Sequence, residues 1–434
     1  MSFNLWMNSI AEAGRDLLRR SKDNKEDKDI KALCIDLCSN KGEAMGTALA
    51  CAVVNAYHAM NEKQQLAFFK LLVSDYSPNS DTILRCAEAY KADTSQKNLQ
   101  ALDNAVEPPR QQLFRRINMS PTGTPTLVGM RADLQKYLKD HEDLRAVDND
   151  LKHLLESWFN RGFLKIRSID WKTPAHILEK LIAYEAVHEM NGWEDLRRRL
   201  ADDRRCFAFF HPALEDEPLI FVEVALTHGL ATAVQPLLAP QTNGQKPEPA
   251  DTAIFYSISN CQEGLKGISF GNFLIKQVVM ELQHELPQLT QFSTLSPIPT
   301  FCRWLHKELD NKDSSLINSK ERKLLAQIDL ENWHQDAALA ETLKPVLMRL
   351  SAHYLHNEKR GAAPLDPVAR FHLGNGARIE QLNWMGDTSK NGLKQSASIL
   401  ANYLYKLNKV EENHEAYIND NVVACSKKFK ILLD

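Results

Sequence analysis

Residues 252–283 read TAIFYSISNCQEGLKGISFGNFLIKQVVMELQ. The first eight residues are rich in β-branched and aromatic side chains, which is typical of a strand. Gly264, Gly267 and Gly271 follow within ten residues, and an apolar pattern at helical spacing begins directly after them. The stretch therefore predicts a strand, a glycine loop and a helix in that order.

The glycine loop fits an anion-binding turn. The first turn of a helix has unpaired N–H groups and a partial positive charge. Glycines ahead of that turn let a phosphate reach the backbone directly. The spacing Gly264-x-x-Gly267-x-x-x-Gly271 matches neither the P-loop nor the dinucleotide fingerprint. A glycine-rich turn that serves only local packing therefore remains the alternative.

Ser296 is the first side chain that could carry chemistry. It ends the next predicted strand, QFSTLS (291–296), and Pro297 stiffens the backbone where the strand ends. The ends of strands are common positions for catalytic groups in α/β folds. A plain turn serine is the alternative.

His372 is the second candidate, in the stretch DPVARFHLG (366–374). Asp366 predicts a helix N-cap, Pro367 the first helical position and Gly374 the end of the helix. His372 then lies in the last turn, where the helix dipole favours the protonated imidazole and so a proton donor. A surface histidine that caps the helix is the alternative, and the sequence gives no distance from Ser296.

Two kinds of pattern divide the chain. From about residue 30 to 165, apolar residues recur at helical spacing, which predicts a bundle of six to eight helices. After residue 166, short strand-like stretches such as CFAFFH (206–211) and PLIFVEVAL (218–226) alternate with helical ones. The predicted organisation is therefore α+β and multidomain, with an all-α helical domain over 1–165 and a mixed α/β domain over 166–434.

Composition and charge narrow the class of protein. The 434 residues are 44% hydrophobic and 25% charged, as in an ordinary globular protein. The net charge of −3 provides no field that would attract nucleic acid, and no apolar run reaches the ~18 residues that span a bilayer. Eight scattered cysteines favour reduced thiols, and no cluster has metal-ligand spacing. A cytoplasmic protein without a metal, a nucleic-acid partner or a membrane partner is expected.

Several stretches together resemble the malonyl-CoA decarboxylase family. They are EAVHEMNGWEDLRRRLADDRRCFAFFHP, EPLIFVEVALT, FYSISNCQEGLKGISFGNFLIKQVVMELQ, FSTLSPIPTFCRWL, PVARFHLGNGA, LNWMGD and ANYLY. The resemblance implies a helical N-terminal domain followed by an acetyltransferase-like (GNAT-like) domain that binds acyl-CoA. It also implies a homo-oligomer, dimer or tetramer, that converts malonyl-CoA to acetyl-CoA and CO2 without a metal or organic cofactor, as part of fatty acid metabolism.

The resemblance also implies roles for individual residues. The family's catalytic serine and histidine match Ser296 and His372, and further polar site residues match Tyr405 and Ser257. Its CoA-phosphate loop matches Lys266, Gly267, Ile268, Ser269, Phe270, Gly271 and Asn272. Some members carry an acid at the place of Ser269, so this chain lacks the contact that such an acid would make.

The chemistry of this reaction sets what the residues must supply. Loss of CO2 leaves a thioester enolate, which needs stabilisation of its oxygen and a proton on its carbon. The hypothesis gives His372 the proton-donor role, with Ser296 hydrogen-bonding to the carboxylate or to the histidine. An apolar pocket would favour loss of the carboxylate charge as neutral CO2. An N-acetyltransferase on the same fold and a non-enzymatic acyl-CoA sensor are the two rival functions.

Overall fold

The structure is a computed structural model that describes residues 29–39, 42–240, 250–268 and 274–433, together with residues 9 and 12. The chain divides into two compact units. The first contains the described residues up to Leu164, His211–Glu217 and the described part of Gln262–Phe270; the second contains the rest. Gly264 and Gly267 of the glycine loop thus belong to the first unit, although they follow a strand of the second in sequence. The predicted boundary at residue 165 stays a prediction.

The first unit is a bundle of helices. The described helices are α1 Ile30–Cys38, α2 Glu43–His58, α3 Glu62–Ser74, α4 Ser80–Ala92, α5 Gln96–Val106, α6 Pro109–Ile117, α7 Gly123–Tyr137 and α8 Arg145–Trp158. Asn61 and Gln64 form a capping box at the start of α3, so local sequence fixes where that helix begins. The apolar helix faces meet in one core, in which Phe69 and Phe114 are fully buried. Burial of side chains of this size contributes about 1.5–3 kcal/mol each.

The second unit contains one mixed sheet, except for residues 211–217, which belong to the first unit. Its strands are β1 Lys165–Ile169, β2 Arg204–His211, β3 Leu214–Thr227, β4 Thr252–Asn260, β5 Gln291–Thr294, β6 Ser296–Pro297, β9 Arg378–Asn383 and β10 Leu400–Leu404, while β7 Lys359–Arg360 and β8 Ala363–Pro364 form a separate hairpin. The strand order is β1-β2-β3-β4-β5-β10-β6, with β9 also paired to β10. Strands β4 and β5 run parallel over their first four residues, whereas β10 pairs antiparallel with β5, β6 and β9.

Helices lie between these strands and after the last of them. They are α9 Ala175–Tyr184, α10 Trp193–Arg199, α11 Gln235–Leu238, α12 Leu274–Glu285, α13 Phe301–Asp310, α14 Ser319–Leu325, α15 Ala337–His356, α16 Pro367–Gly374, α17 Lys390–Ser396, α18 Val410–Asp420 and α19 Lys427–Lys430. Short 3-10 turns cover Glu142–Leu144, Arg161–Phe163, Glu263–Leu265, Ala326–Asp329, Trp333–Gln335 and Leu407–Lys409. A helical bundle followed by a mixed α/β domain confirms the predicted α+β, multidomain fold class.

Two positions of the loop after β4 require glycine for different physical reasons. A Cβ on Gly264 would lie 1.9 Å from the carbonyl oxygen of Val128 in α7, so the position has no room for a side chain. Gly267 has a φ of +77°, although a Cβ there would meet nothing within 4 Å. Local packing therefore explains the first glycine, and backbone conformation explains the second.

We expect Gly264→Ala to destabilise the protein, because one of two packed backbone segments must move. The cost of such overpacking is about 1–3 kcal/mol. Gly129→Ala is the matched control: Gly129 is exposed in the middle of α7, and a Cβ there meets nothing within 4 Å. That change should stabilise the protein by about 0.5–1 kcal/mol. Urea unfolding measures both, and a neutral Gly264→Ala would contradict the close contact.

Candidate active site

Three predicted site residues from distant parts of the sequence form one hydrogen-bonded chain. Ser296 Oγ lies 3.2 Å from His372 Nε2, and His372 Nδ1 lies 2.8 Å from the hydroxyl of Tyr405. All three are buried, with exposed fractions of 7%, 2% and 5%. The structure therefore places both imidazole nitrogens in defined hydrogen bonds.

The sheet and one short helix position these side chains. Ser296 opens β6 and is paired with Ala401 of β10, while Tyr405 directly follows β10 and donates its N–H to the Phe292 carbonyl. Strand pairing thus brings the serine and the tyrosine together. His372 lies in the last turn of α16, whose N-cap Asp366 accepts the N–H groups of two first-turn residues. The predicted start, end and cap of this helix are confirmed.

Burial decides where the protons of this chain reside. It lowers the pKa of His372 to about 3, so the imidazole is neutral at physiological pH. It raises the pKa of Tyr405 well above its ordinary value, so the phenol keeps its proton. Ser296 donates to Thr294 Oγ1 over 2.9 Å. Because the only proton of the Ser296 hydroxyl goes to Thr294, Ser296 must accept a hydrogen bond from the Nε2–H of His372. Nδ1 of the neutral ring then carries no proton and accepts a hydrogen bond from Tyr405.

The expectation that the helix dipole keeps His372 protonated is wrong. The dipole at the end of a short helix contributes less than about 2 kcal/mol. Each pKa unit corresponds to about 1.4 kcal/mol, so a shift from 6.5 to about 3 requires more. Desolvation of the fully buried ring dominates, and the resting side chain is the neutral imidazole.

This protonation state makes a prediction for the pH profile. We expect kcat/KM to stay level as the pH rises from about 6 to 8, because no imidazolium is lost over that range. A donor that had to be the imidazolium of the free enzyme, with an ordinary pKa of 6.5, would lose about tenfold in kcat/KM for each unit above that pKa. Initial rates in overlapping buffers at constant ionic strength measure the profile, and such a decline would refute the assignment.

The serine and the histidine open onto a largely apolar cavity of about 260 Å³. Its lining comprises Val187, Ile220, Phe255, Tyr256, Ile258, Asn260, Ser296, Pro297, Pro367, Val368, Phe371 and His372. Within the described chain this lining contains no Lys, Arg, Asp or Glu. A carboxylate that entered the cavity would lose its water without gaining a compensating cation.

Ser257 does not join this chain. Its hydroxyl lies 2.8 Å from each carboxylate oxygen of Glu185, and 3.3 Å from the hydroxyl of Ser259. Ser257 is 1% exposed. The structure therefore gives this predicted site residue an internal partner and leaves Ser296, His372 and Tyr405 as the assembled group.

Two neighbours of the chain were not found from the sequence. Thr294 Oγ1 accepts a hydrogen bond from the hydroxyl of Ser296, and the ring of Tyr403 stacks on that of His372 with centroids 4.7 Å apart. Each is two residues before a predicted site residue, and residues two apart in a strand share a face. That spacing was the available signal for both.

The predicted CoA-phosphate loop is described in part. Lys266 and Gly267 are exposed and Ile268 is buried. Ser269, Phe270, Gly271 and Asn272 lie outside the described residues.

Over the ranges that the structure covers, no helix is long and apolar enough to cross a bilayer. In the same part of the chain, no three His, Cys, Asp or Glu side chains are grouped so that they could hold a metal ion.

Comparisons with known proteins agree on one family. The family model for the malonyl-CoA decarboxylase C-terminal domain matches residues 162–434, and that for the N-terminal domain matches 76–159. The mitochondrial malonyl-CoA decarboxylase of Anser anser anser is 37% identical over 359 residues, which cover 76% of this chain and 71% of that protein. The Rattus norvegicus mitochondrial protein is 35% identical over 362 residues, covering 77% and 74%.

Solved structures extend the likeness to nearly the whole chain. The crystal structure of malonyl-CoA decarboxylase from Rhodopseudomonas palustris has a TM-score of 0.89 and 49% identity, covering 93% of this chain and 98% of that one. The corresponding structure from Agrobacterium vitis has a TM-score of 0.88 and 48% identity, covering 94% and 100%. Identity of this level over whole chains supports more than a shared fold.

Proposed function

The chain belongs to the malonyl-CoA decarboxylase family and is a carboxy-lyase; from this premise we propose how Ser296, His372 and Tyr405 convert malonyl-CoA to acetyl-CoA and CO2. One observation carries the proposal: the buried imidazole of His372 is held between two hydroxyl groups beside an apolar cavity. Two steps follow, the loss of CO2 and the protonation of the product carbon.

In the first step, the malonyl carboxylate enters the apolar cavity. The bond between the carboxylate carbon and the α-carbon breaks, CO2 leaves, and the bonding electrons move onto the thioester as an enolate. Negative charge confined to the carboxylate oxygens becomes charge spread over the thioester enolate. A lining that has no Lys or Arg among its described residues disfavours the confined charge more strongly, which is the physical basis for faster loss of CO2.

In the second step, His372 donates its Nε2 proton to the enolate carbon. A thioester enolate carbon is a strong base, so a neutral imidazole N–H is acidic enough to protonate it. The Tyr405 hydroxyl, which donates to Nδ1, stabilises negative charge on the ring during the transfer. Ser296 orients the ring and gives up its hydrogen bond from Nε2 when the carbon takes the proton. Solvent restores the lost proton after acetyl-CoA leaves.

The remaining expectations complete the proposal. In this proposal the CoA diphosphate is held by Lys266–Asn272. The left-handed backbone of Gly267 supports this role, because phosphate-binding turns favour that conformation. The reaction requires neither a metal nor an organic cofactor. Assembly as a dimer or tetramer, cytoplasmic location and a role in fatty acid metabolism stay predictions, the first measurable by light scattering.

The test is incubation of the protein with malonyl-CoA alone, with acetyl-CoA and CO2 measured together. We expect equal amounts of the two products, and one deuterium in the acetyl methyl group when the solvent is D2O. An N-acetyltransferase would need an amine acceptor and would release no CO2. An acyl-CoA sensor would bind malonyl-CoA without consuming it. Either result would overturn the proposal.

A further inference from the structure

We propose that Arg131, in the helical unit, is a positioning residue that fixes the backbone of residues 264–268, the described part of the glycine loop, so that Lys266 and Gly267 can meet the CoA diphosphate. The inference rests on the proposed function of that loop. Arg131 belongs to α7, far from the loop in sequence, and none of the motifs that resemble the family contains it. Both Arg131 and the loop segment belong to the same compact unit.

The contacts of Arg131 carry the proposal. Its Nη1 donates to the carbonyl oxygens of Gly264 at 2.7 Å and Lys266 at 3.0 Å. Its Nε donates to Asp148 Oδ1 in α8 at 2.8 Å, and the arginine is only 3% exposed. A buried guanidinium is stable when its donors are paired. Here the pairing links helix α8, through Asp148 and Arg131, to two carbonyls of the loop.

These two carbonyl contacts constrain the backbone of the loop. Gly264 also packs on the Val128 carbonyl, so the loop is fixed at its start by contact and hydrogen bonding together. Gly267 then turns into the left-handed region directly after the second held carbonyl. Charge-assisted hydrogen bonds are stronger and more directional than neutral ones. Arg131 therefore restricts the conformations available to Lys266 and Gly267, the described residues that would meet the diphosphate.

Binding of the diphosphate, rather than the chemical step, should depend on Arg131. The hydrogen bonds of Arg131 go to Asp148, Gly264 and Lys266, and those of His372 go to Ser296 and Tyr405. The two networks share no residue. Loss of Arg131 should therefore release the backbone of Gly264 and Lys266 without altering the proton chain of the active site.

The experiment compares two substrates, malonyl-CoA and malonyl-pantetheine, which keeps the thioester but lacks the diphosphate. In Arg131→Met we expect KM for malonyl-CoA to rise by roughly tenfold or more, with kcat nearly unchanged. We expect kcat/KM for malonyl-pantetheine to stay near the wild-type value. The ratio of kcat/KM for malonyl-CoA to that for malonyl-pantetheine should therefore fall by roughly tenfold or more.

Arg110→Met is the matched control. Arg110 is equally buried, at 4% exposed, is paired with Asp150 in the same bundle, and donates to Ser77 rather than to the loop. This variant should lower stability while leaving the preference between the two substrates intact. An Arg131→Met variant that loses activity equally on both substrates would show a merely structural role and overturn the proposal.

Two further variants separate the possible failures. Gly267→Val tests the loop itself: an unchanged KM for malonyl-CoA would refute the proposed phosphate-binding function, whatever Arg131 does. Should Arg131→Met fail to fold, as judged by circular dichroism, Arg131→Lys replaces it. Lysine keeps the charge but has no second nitrogen to hold Asp148 and both carbonyls together. The same selective rise in KM is expected, and an unchanged KM would overturn the proposal.

Discussion

Replacement of His372 by asparagine is expected to lower kcat by about 10²–10⁴-fold while acetyl-CoA still binds with near wild-type affinity. Asparagine keeps a polar group of moderate size but lacks the second ring nitrogen and the acidity of an imidazole N–H. It therefore cannot pass a proton to the enolate carbon while Tyr405 supports it from the opposite side. Steady-state rates of CO2 release and calorimetric titration with acetyl-CoA measure the two quantities.

His353→Asn is the control for this change. His353 lies in α15 of the same unit and contacts Glu358 and Asn357, with no hydrogen bond to the serine–histidine–tyrosine chain. Its replacement should leave kcat within about twofold of wild type, as expected for a residue outside the site. A His372→Asn enzyme that decarboxylates at a comparable rate would remove the imidazole from the mechanism.

Replacement of Ser296 by alanine is expected to lower kcat by about 10²-fold, a smaller loss than for His372. The change removes the acceptor for the His372 Nε2–H and the donor to Thr294. The ring then has an unpaired buried N–H, which costs about 1–3 kcal/mol and frees the imidazole to adopt other orientations. Rapid-quench measurement of the first turnover distinguishes slowed chemistry from slowed product release.

Ser293→Ala is the matched control for the serine. Ser293 is fully buried one strand earlier, and its hydroxyl donates to the backbone carbonyls of Thr294 and Tyr403. Both substitutions remove one buried hydroxyl, so both should cost similar stability. Only the Ser296 variant should lose turnover by a large factor; equal losses in the two variants would show that the effect is structural.

Sequence reasoning succeeded where the signal was local. All four stretches predicted as strands lie on strands of the sheet, because enrichment in β-branched and aromatic residues is a local signal of strand structure. The cap and first turn of α16 also followed from Asp366 and Pro367 alone. Strands β9 and β10 were not predicted from periodicity, although β10 lies centrally and pairs with β5, β6 and β9. Gln381, Asn383 and Asn402 in these strands are buried and hydrogen-bond to one another. Asn and Gln are not typical strand residues, so the sequence pattern did not indicate strands there.

The amino-acid sequence by itself determined the helical first part, four of the strand stretches, the glycine loop, the cap of α16 and the family resemblance with its serine, histidine and tyrosine. Tertiary structure alone decided that His372 is neutral, that Ser257 pairs with Glu185, and that Arg131 holds the loop. The physical reason is the separation in sequence over which each effect acts. Propensity and capping act over a few residues, whereas desolvation and hydrogen bonds between distant segments depend on which side chains folding brings together.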